Sequence, residues 1–268
     1  MLKDITLGQY FPGNSFVHRL DPRTKLLMMI VYIVALFLAN GVVSYGLMLL
    51  FLLTCIRISR IPGKAFLRGM KPLLFILVFT AVLNLFLTPG ETVLVHFWVV
   101  TVTLEGVVRA FFMLARILML ITCTFLLTYT TSPIALTDGL ESLLSPLNKI
   151  KVPVHELSMM MCIALRFIPT LIEETDKIMS AQKARGADFE TGKLMDRVKA
   201  LVPILVPLFI SAFRRADELA TAMECRCYHG GEGRTKMKLL RYKRPDFQAF
   251  GTGILLIAAV IVLGQLAL

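Results

Sequence analysis

Two short segments of the sequence place an arginine between small residues, each at the predicted end of a long helix. The first is Ala184-Arg185-Gly186 and the second, 41 residues further on, is Cys225-Arg226-Cys227. A cation near a helix C-terminus complements the helix dipole, and a glycine behind it caps the helix. Small neighbours also leave the guanidinium free to enter a groove on a partner and bind a carboxylate or backbone carbonyls. Because the pattern occurs twice on consecutive helices, we favour the second role and predict two partner sites.

The sequence lacks the motifs of an ATPase or a zinc protease. The segment most similar to a phosphate-binding loop, residues 186–194, has one residue too many between its glycines and no Ser or Thr after Lys193. His155-Glu156 is followed by Met159 where a zinc protease needs a second histidine. The Cys225-x-Cys227-x-His229 cluster offers three closely spaced ligands, which is a weak metal pattern. We therefore predict no catalytic residue, no metal and no cofactor bound by this chain.

The composition is that of a membrane protein. Hydrophobic residues make up 56% of the 268 residues, more than the 45–50% usual in soluble proteins, and they lie in long runs. The net charge of +11 comes from basic residues that flank these runs, which the positive-inside rule explains better than nucleic-acid binding does. The five cysteines are an odd number and indicate no disulfide framework. The first 24 residues lack the apolar core of a cleavable signal peptide.

The apolar runs predict about five transmembrane helices in an all-α fold. Asn40-Gly41 divides the first long run into two short spans. Residues 92–103 are typical of a strand or an interfacial segment. The predicted spans cover residues 25–40, 42–56, 72–88, 106–130 and 247–268.

The charges predict the orientation of these spans. The loops at residues 1–25 and 57–71 are basic, whereas residues 89–105 carry two acidic residues and no lysine or arginine. We therefore place the N-terminus in the cytoplasm and residues 89–105 outside. Residues 131–246 are rich in charge and should form a cytoplasmic or membrane-surface coupling domain. It lies between a four-span membrane domain at residues 1–130 and the last span at 247–268.

The sequence predicts three helices in the coupling domain. Ser132-Pro133 should begin the first, which covers residues 134–147. The second covers residues 154–184, with Pro169 inside it, and the third covers 194–224. The second helix carries an apolar stripe at helical spacing that could fill the core of the arm or provide an adaptable, methionine-rich docking surface. We assign to this stripe Met160, Met161, Leu165 and Ile168.

Two arginines lie within the fourth predicted span. Arg109 and Arg116 are seven residues apart and share a helix face. Because an arginine facing lipid is costly, both should face the bundle interior, water or headgroups. Arg109 can extend to the nearby interface. For Arg116, which is deeper, a structural role and a role in transport both remain open.

Five segments together carry a family resemblance. They are residues 19–26 (Arg-Leu-Asp-Pro-Arg-Thr-Lys-Leu), 165–169 (Leu-Arg-Phe-Ile-Pro), 184–186 (Ala-Arg-Gly), 224–231 (Glu-Cys-Arg-Cys-Tyr-His-Gly-Gly) and Arg234-Thr235. With these segments the chain resembles, over nearly its whole length, the transmembrane T component (EcfT family) of energy-coupling factor (ECF) transporters. That family usually has Ala-Arg-Gly at both arginine motifs. Here cysteines flank Arg226, so we expect its role to survive and the glycine cap to move to Gly230.

The resemblance implies a non-catalytic coupling subunit of an ABC-type importer for vitamins or other micronutrients. Two cytoplasmic ABC ATPases would bind the ATP, and each would accept one arginine-tipped helix. A separate membrane protein, the S component, would capture the substrate and dock on this chain. The implied coupling residues are Ala184, Arg185, Gly186, Cys225, Arg226 and Cys227. The competing hypothesis is a polytopic membrane enzyme that uses intramembrane Arg, His and Glu residues.

The orientation is testable by cysteine labelling in intact cells. A single cysteine at position 64 should react with a membrane-permeant maleimide only, because the basic segment 57–71 is predicted to be cytoplasmic. Rapid reaction with an impermeant reagent added outside would reverse the topology.

Overall fold

A computed structural model describes residues 10–87, 93–97, 100–187, 189, 194–231 and 239–265. Glu91 and Trp98 of the predicted outer loop, and Arg234-Thr235 of the family pattern, lie outside these ranges. Within them the chain forms two compact units. One comprises residues 8–139 and 240–268, and we call it the membrane unit. The other comprises residues 140–239, and we call it the arm unit.

The described chain is helical apart from one short β-hairpin, which confirms the all-α fold class. The membrane unit contains α1 (Phe16–Arg19), α2 (Pro22–Leu38), α3 (Val42–Ser59), α4 (Gly63–Met70), a 3-10 turn (Lys71–Leu73), α5 (Leu74–Leu87), β1 (Val93–Phe97), β2 (Val100–Thr103), α6 (Leu104–Thr130) and α10 (Arg244–Gln265). Helix α7 (Pro133–Leu144) leads into the arm unit, which contains a 3-10 segment (Ser145–Ile150), α8 (Val154–Ala184) and α9 (Leu194–Glu224).

Several sequence predictions for individual elements are confirmed. Gly41 has φ +90°, a value that favours glycine, and separates α2 from α3 at the predicted turn. Strands β1 and β2 pair antiparallel within the segment predicted as strand or interface. Ser132 accepts a hydrogen bond from the Ala135 N–H at 3.3 Å, the capping contact predicted for the start of α7. Residues 63–70, treated as part of a basic loop, instead form helix α4.

Five helical segments in the described residues are long and apolar enough to cross a membrane, as predicted, but the set differs by one member. They are Val42–Ser59, Gly63–Phe86, Leu104–Thr130, Val154–Ala184 and Arg244–Gln265. The helix at the first predicted span, α2, has 17 residues, the lower end of what a span requires. Helix α8, which sequence analysis placed in the cytoplasmic arm, meets the criteria of length and composition.

The core of the membrane unit lies where α2, α3, α6 and α10 meet. A hydrogen bond crosses it, from the Tyr32 hydroxyl to the Met48 carbonyl at 3.3 Å. The buried residues come from all four helices: Tyr32, Ala35, Leu36, Tyr45, Met48, Leu52, Met119, Cys123, Leu256 and Val260. Because each helix contributes one narrow face, most of its other side chains point to the surroundings, as expected of helices in lipid.

The motif at residues 19–26 forms a buried polar junction between the first and last long helices of the membrane unit. Asp246, in the first turn of α10, is 1% exposed. Its carboxylate accepts the backbone N–H of Asp21 at 2.8 Å and that of Lys243 at 2.7 Å. Asp21 caps α2 by accepting the Arg23 N–H at 3.0 Å. Residues far apart in the sequence are therefore held by one carboxylate.

Lys25 extends this junction to the end of α6. Its buried ammonium donates to the carbonyls of Thr130 at 2.8 Å and His18 at 3.3 Å, and to the Thr131 hydroxyl at 3.3 Å. Three acceptors match the three protons of a lysine ammonium. The Asp-Pro-Arg-Thr-Lys segment therefore joins α2, α6 and α10 at one level of the unit.

Replacing Asp246 by alanine should destabilise the protein strongly. The buried backbone N–H of Asp21 would lose its acceptor, which costs on the order of 1–3 kcal/mol, and the N–H of the exposed Lys243 would lose its acceptor at a smaller cost. The free energy of unfolding, measured by SDS denaturation of the purified chain, should fall by about 3 kcal/mol. The control is Asp217→Ala, because Asp217 is exposed on α9. Equal effects of the two substitutions would contradict the role of the junction.

Candidate functional site

Helices α8 and α9 form an antiparallel pair that carries the two arginine motifs. Near the end of α8, the Gln182 amide donates to the Pro203 carbonyl at 3.5 Å. Further back, the Arg215 guanidinium pairs with the Glu174 carboxylate at 3.1 Å. Between these helices runs an apolar groove lined by Ile163, Phe167, Leu171, Ala212, Ala216, Leu219, Ala220 and Met223. As the α8 numbers rise the α9 numbers fall, so the helices run in opposite directions.

Helix α8 ends in a Schellman motif with Arg185 at the cap position. The Ala187 N–H donates to the Gln182 carbonyl at 3.0 Å, and the Gly186 N–H to the Lys183 carbonyl at 3.0 Å. Gly186 has φ +86°, which closes the turn without steric cost. These backbone bonds satisfy the Gln182 and Lys183 carbonyls without using the Arg185 side chain.

Helix α9 ends in the same motif with Arg226 at the cap position. The Tyr228 N–H donates to the Met223 carbonyl at 3.0 Å, and the Cys227 N–H to the Glu224 carbonyl at 2.8 Å. Cys227 takes the left-handed position with φ +54°. The expected shift of the glycine cap to Gly230 is therefore wrong. The backbone hydrogen bonds keep the turn at residue 227, although a residue with a Cβ is strained there.

The two helix tips expose matching groups. Ala184, Arg185 and Gly186 are exposed at one tip, and Cys225, Arg226 and Cys227 at the other. Within the described residues, neither guanidinium makes an ion pair or a hydrogen bond. Both forks are therefore available to a partner.

The antiparallel packing places the arginines at opposite ends of the helix pair. Met223, next to the second tip, lines the same groove as Ile163 of α8. Gly231, just beyond this tip, lies against the ring of His155 at the start of α8. From residue 163 to residue 185 a helix rises by about 33 Å. The two tips are therefore separated by roughly the width of a small domain.

The methionine-rich stripe only partly faces α9. Met160 is 59% exposed and Met161 is 39% exposed, whereas Leu165 and Ile168 are half-buried. The groove between α8 and α9 instead uses Ile163, Phe167 and Leu171. Of the two interpretations of the stripe, exposure therefore favours a docking surface for Met160 and Met161.

A second apolar surface, which the sequence analysis did not identify, lies on α9 within residues 201–213. Its exposed members recur in adjacent pairs every four residues: Leu201, Val202, Leu205, Val206, Phe209, Ile210 and Phe213. This spacing keeps them on one side of the helix, and Phe213 is 70% exposed. The four-residue repeat was the available signal.

The intramembrane arginines do not form an active site with histidine or glutamate in the described structure. Arg116 is half-buried and donates to the Tyr45 hydroxyl at 2.9 Å, with its guanidinium 5.3 Å from the centre of the Phe37 ring. Arg109 is exposed. Arg116 therefore bridges α2 and α3 from α6, in contact with aromatic groups.

The nearest arrangement to a catalytic triad lies in the arm unit and lacks the required order. The Glu141 carboxylate accepts a hydrogen bond from the Ser158 hydroxyl at 2.5 Å and pairs with the His155 ring at 3.1 Å. A nucleophilic serine needs a base on its hydroxyl and a carboxylate behind that base. Here the serine and the histidine both bind the carboxylate, an arrangement that joins α7 to α8 and does not activate the serine.

Comparison with known proteins gives a consistent result. Residues 13–237 match the family model CbiQ, described as cobalt transport protein. The chain is 54% identical over 266 residues to the energy-coupling factor transporter transmembrane protein of Acidaminococcus fermentans, covering 99% of this chain and 98% of that protein. The proteins of the same name from Ruminiclostridium cellulolyticum and Bacillus subtilis are 52% and 48% identical, each over 263 residues that cover 98% of this chain and 98% and 99% of theirs.

The strained cap of α9 predicts that glycine at its two cysteines changes the stability of the helix end in opposite directions. Replacing Cys227 by glycine should stabilise the helix end by about 1 kcal/mol, because the left-handed position no longer opposes a Cβ. Replacing Cys225 by glycine should destabilise it by up to about 1 kcal/mol, because residue 225 belongs to the last helical turn. Amide hydrogen exchange at residues 224–228 measures both. Faster exchange in Cys227→Gly would contradict the assigned cap.

Proposed function

Because the chain belongs to the family of ECF transporter transmembrane proteins, we propose that it couples two ATPase subunits to a substrate-binding S component. It is a multi-pass membrane protein and a non-catalytic subunit of a transporter. ATP would bind to the partner subunits, since the sequence has no phosphate-binding loop. The observation that carries the proposal is the pair of equivalent helix ends, each presenting an exposed arginine.

The chemistry of the tips fits insertion into a protein groove. A guanidinium offers five N–H donors in a planar fork that matches a carboxylate or several carbonyls. In a complex the fork would leave water, and paired acceptors would replace its hydration. The flanking residues Ala184, Gly186, Cys225 and Cys227 are small, so the backbone at each tip can approach a partner closely.

The separation of the tips supports two ATPases over one. Both tips have the same backbone geometry, but they lie at opposite ends of the α8–α9 pair. Two copies of one groove on a symmetric dimer could each take one tip, because equivalent sites need equivalent ligands. A displacement of either ATPase would then act on one end of a rigid helix pair.

The exposed apolar surfaces of α8 and α9 are the candidate docking site of the S component. They comprise Met160 and Met161 on one helix and the four-residue repeat from Leu201 to Phe213 on the other. An apolar surface of this length must be covered by lipid or by protein. Because methionine repacks easily, the α8 part would suit partners of differing shape.

The coupling role predicts the effect of removing both arginines. The double substitution Arg185→Ala with Arg226→Ala should abolish stable ATPase association or uncouple hydrolysis from uptake. Loss of a buried, hydrogen-bonded charge costs on the order of 2–5 kcal/mol, against about 0.3–1 kcal/mol for an exposed cation at a helix end. Each single substitution should weaken association less. Co-purification of the ATPases and uptake into proteoliposomes measure these effects.

Two control variants make the test specific. Lysine at both positions should restore function only in part, because it keeps the charge and loses the planar fork. Lys177→Ala with Arg214→Ala removes two exposed cations of the same helix pair, at least eight residues along the helices from either tip arginine, and should leave association unchanged. Normal uptake and ATPase binding by the double arginine variant would overturn the proposal.

A further inference from the structure

The segment that contains α4 carries a dense cluster of positive charge. Residues 57–71 include five basic residues and no acidic residue: Arg57, Arg60, Lys64, Arg68 and Lys71. All five are exposed. None of them forms an ion pair with any other residue that the structure describes. The protein itself therefore does not neutralise this charge.

The inner face of α4 is fixed against the end of α6. The Phe66 ring lies edge-on to Tyr129, with ring centres 5.2 Å apart. The Tyr129 hydroxyl donates to the Ala65 carbonyl at 3.3 Å. At Gly69 a Cβ would lie 2.9 Å from the Phe125 ring, so only glycine permits this approach. These contacts fix which side of α4 faces outward.

The outer face of α4 combines cations with one apolar side chain. Lys64, Leu67 and Arg68 of α4 follow the spacing i, i+3, i+4 and share one side of the helix. Lys71 continues this spacing at i+7, in the 3-10 turn directly after the helix. Leu67 is 70% exposed. A leucine among lysines and arginines is typical of helices that lie at a membrane surface, where the leucine reaches the acyl region and the cations bind headgroups.

The position of α4 along the chain agrees with a location at the headgroup layer. The apolar helix α3 ends at Ser59, and the apolar residues of the next span begin at Leu74. The cations lie between these two apolar segments. Helix α6 is about 40 Å long, and it exceeds the roughly 30 Å of the hydrocarbon core. Its last turns, which contact α4, can therefore lie among the headgroups.

We propose that the outer face of α4 is a binding site for anionic phospholipids. Lys64, Arg68 and Lys71 would contact the phosphate and the headgroup, supported by Arg57 and Arg60, while Leu67 enters the acyl boundary. The positive-inside rule explains the sign of the charge. It does not explain the convergence of three cations and a leucine on one rigid face. This site is separate from the arginine tips and does not depend on their function.

Native mass spectrometry of the purified full-length chain in detergent tests the site. Phosphatidylglycerol and phosphatidylethanolamine with identical acyl chains are titrated in parallel. The wild-type chain should bind phosphatidylglycerol more tightly, and the preference should shrink as ionic strength rises. The substitutions Lys64→Gln and Arg68→Gln together should weaken phosphatidylglycerol binding by roughly thirtyfold, since each basic residue near an anionic surface contributes about fivefold to the affinity.

Three further arms separate the alternatives. Lys149→Gln with Lys177→Gln removes two exposed lysines of the arm unit and should keep wild-type binding. Leu67→Gln retains every charge, so it should weaken the binding of both lipids and keep the preference for phosphatidylglycerol. At constant ionic strength, excess inorganic phosphate should not displace phosphatidylglycerol, because phosphate cannot supply the acyl contact.

The following results would overturn the proposal. Equal affinity of the wild-type chain for both lipids would mean that the cations serve another partner, such as an acidic protein surface, and this result needs no variant to fold. An unchanged preference in the Lys64→Gln and Arg68→Gln variant would locate the lipid site elsewhere. Displacement by inorganic phosphate would identify a phosphate site and not a lipid site.

Discussion

The need to satisfy every backbone polar group within the chain governs this structure. In lipid an unpaired N–H or C=O has no water to bind, so the long segments must be helical and their ends need special treatment. The helix ends use two kinds of solution, side-chain acceptors and backbone hydrogen bonds. Asp21 caps α2 with its side chain, and the Asp246 carboxylate accepts the N–H of Lys243, just before α10, and that of Asp21, just before α2. Helices α8 and α9 close their ends with backbone bonds alone.

That difference separates structural charges from available ones. Asp246 and Lys25 are buried and fully engaged, so they hold α2, α6 and α10 together. Arg185 and Arg226 occupy helix caps whose carbonyls are already bonded, so their guanidinium groups remain exposed. Charge at a helix end therefore takes two roles in this protein, and the backbone geometry decides which one. A Schellman motif leaves the side chain free, whereas a side-chain cap occupies it.

In the arm unit, the apolar residues of α9 likewise fall into two groups, one that faces α8 and one that is exposed. Small residues of α9, Ala212, Ala216 and Ala220, line the groove towards α8 and permit close packing. The large residues of α9 point elsewhere, which leaves Phe209, Ile210 and Phe213 exposed. The pair therefore has an apolar groove between its helices and large apolar side chains exposed on α9.

Local chemistry in the sequence determined the helices, the turn at Gly41, the start of α7 and the arginine motifs, because each depends on neighbouring residues and on helical period. From residue types alone we also predicted that the chain itself binds no ATP. The tertiary structure decided which distant residues meet, which the helical period of the sequence cannot reveal. It turned the motif at residues 19–26 into a junction with Asp246, more than 200 residues away. It selected Ile163 and Phe167 over Met160 for the groove with α9. It also put Cys227 in a left-handed position, where the family pattern has glycine and from which we expected the cap to move to Gly230. Such outcomes depend on which faces meet and which backbone bonds form, and these are fixed only when distant segments pack.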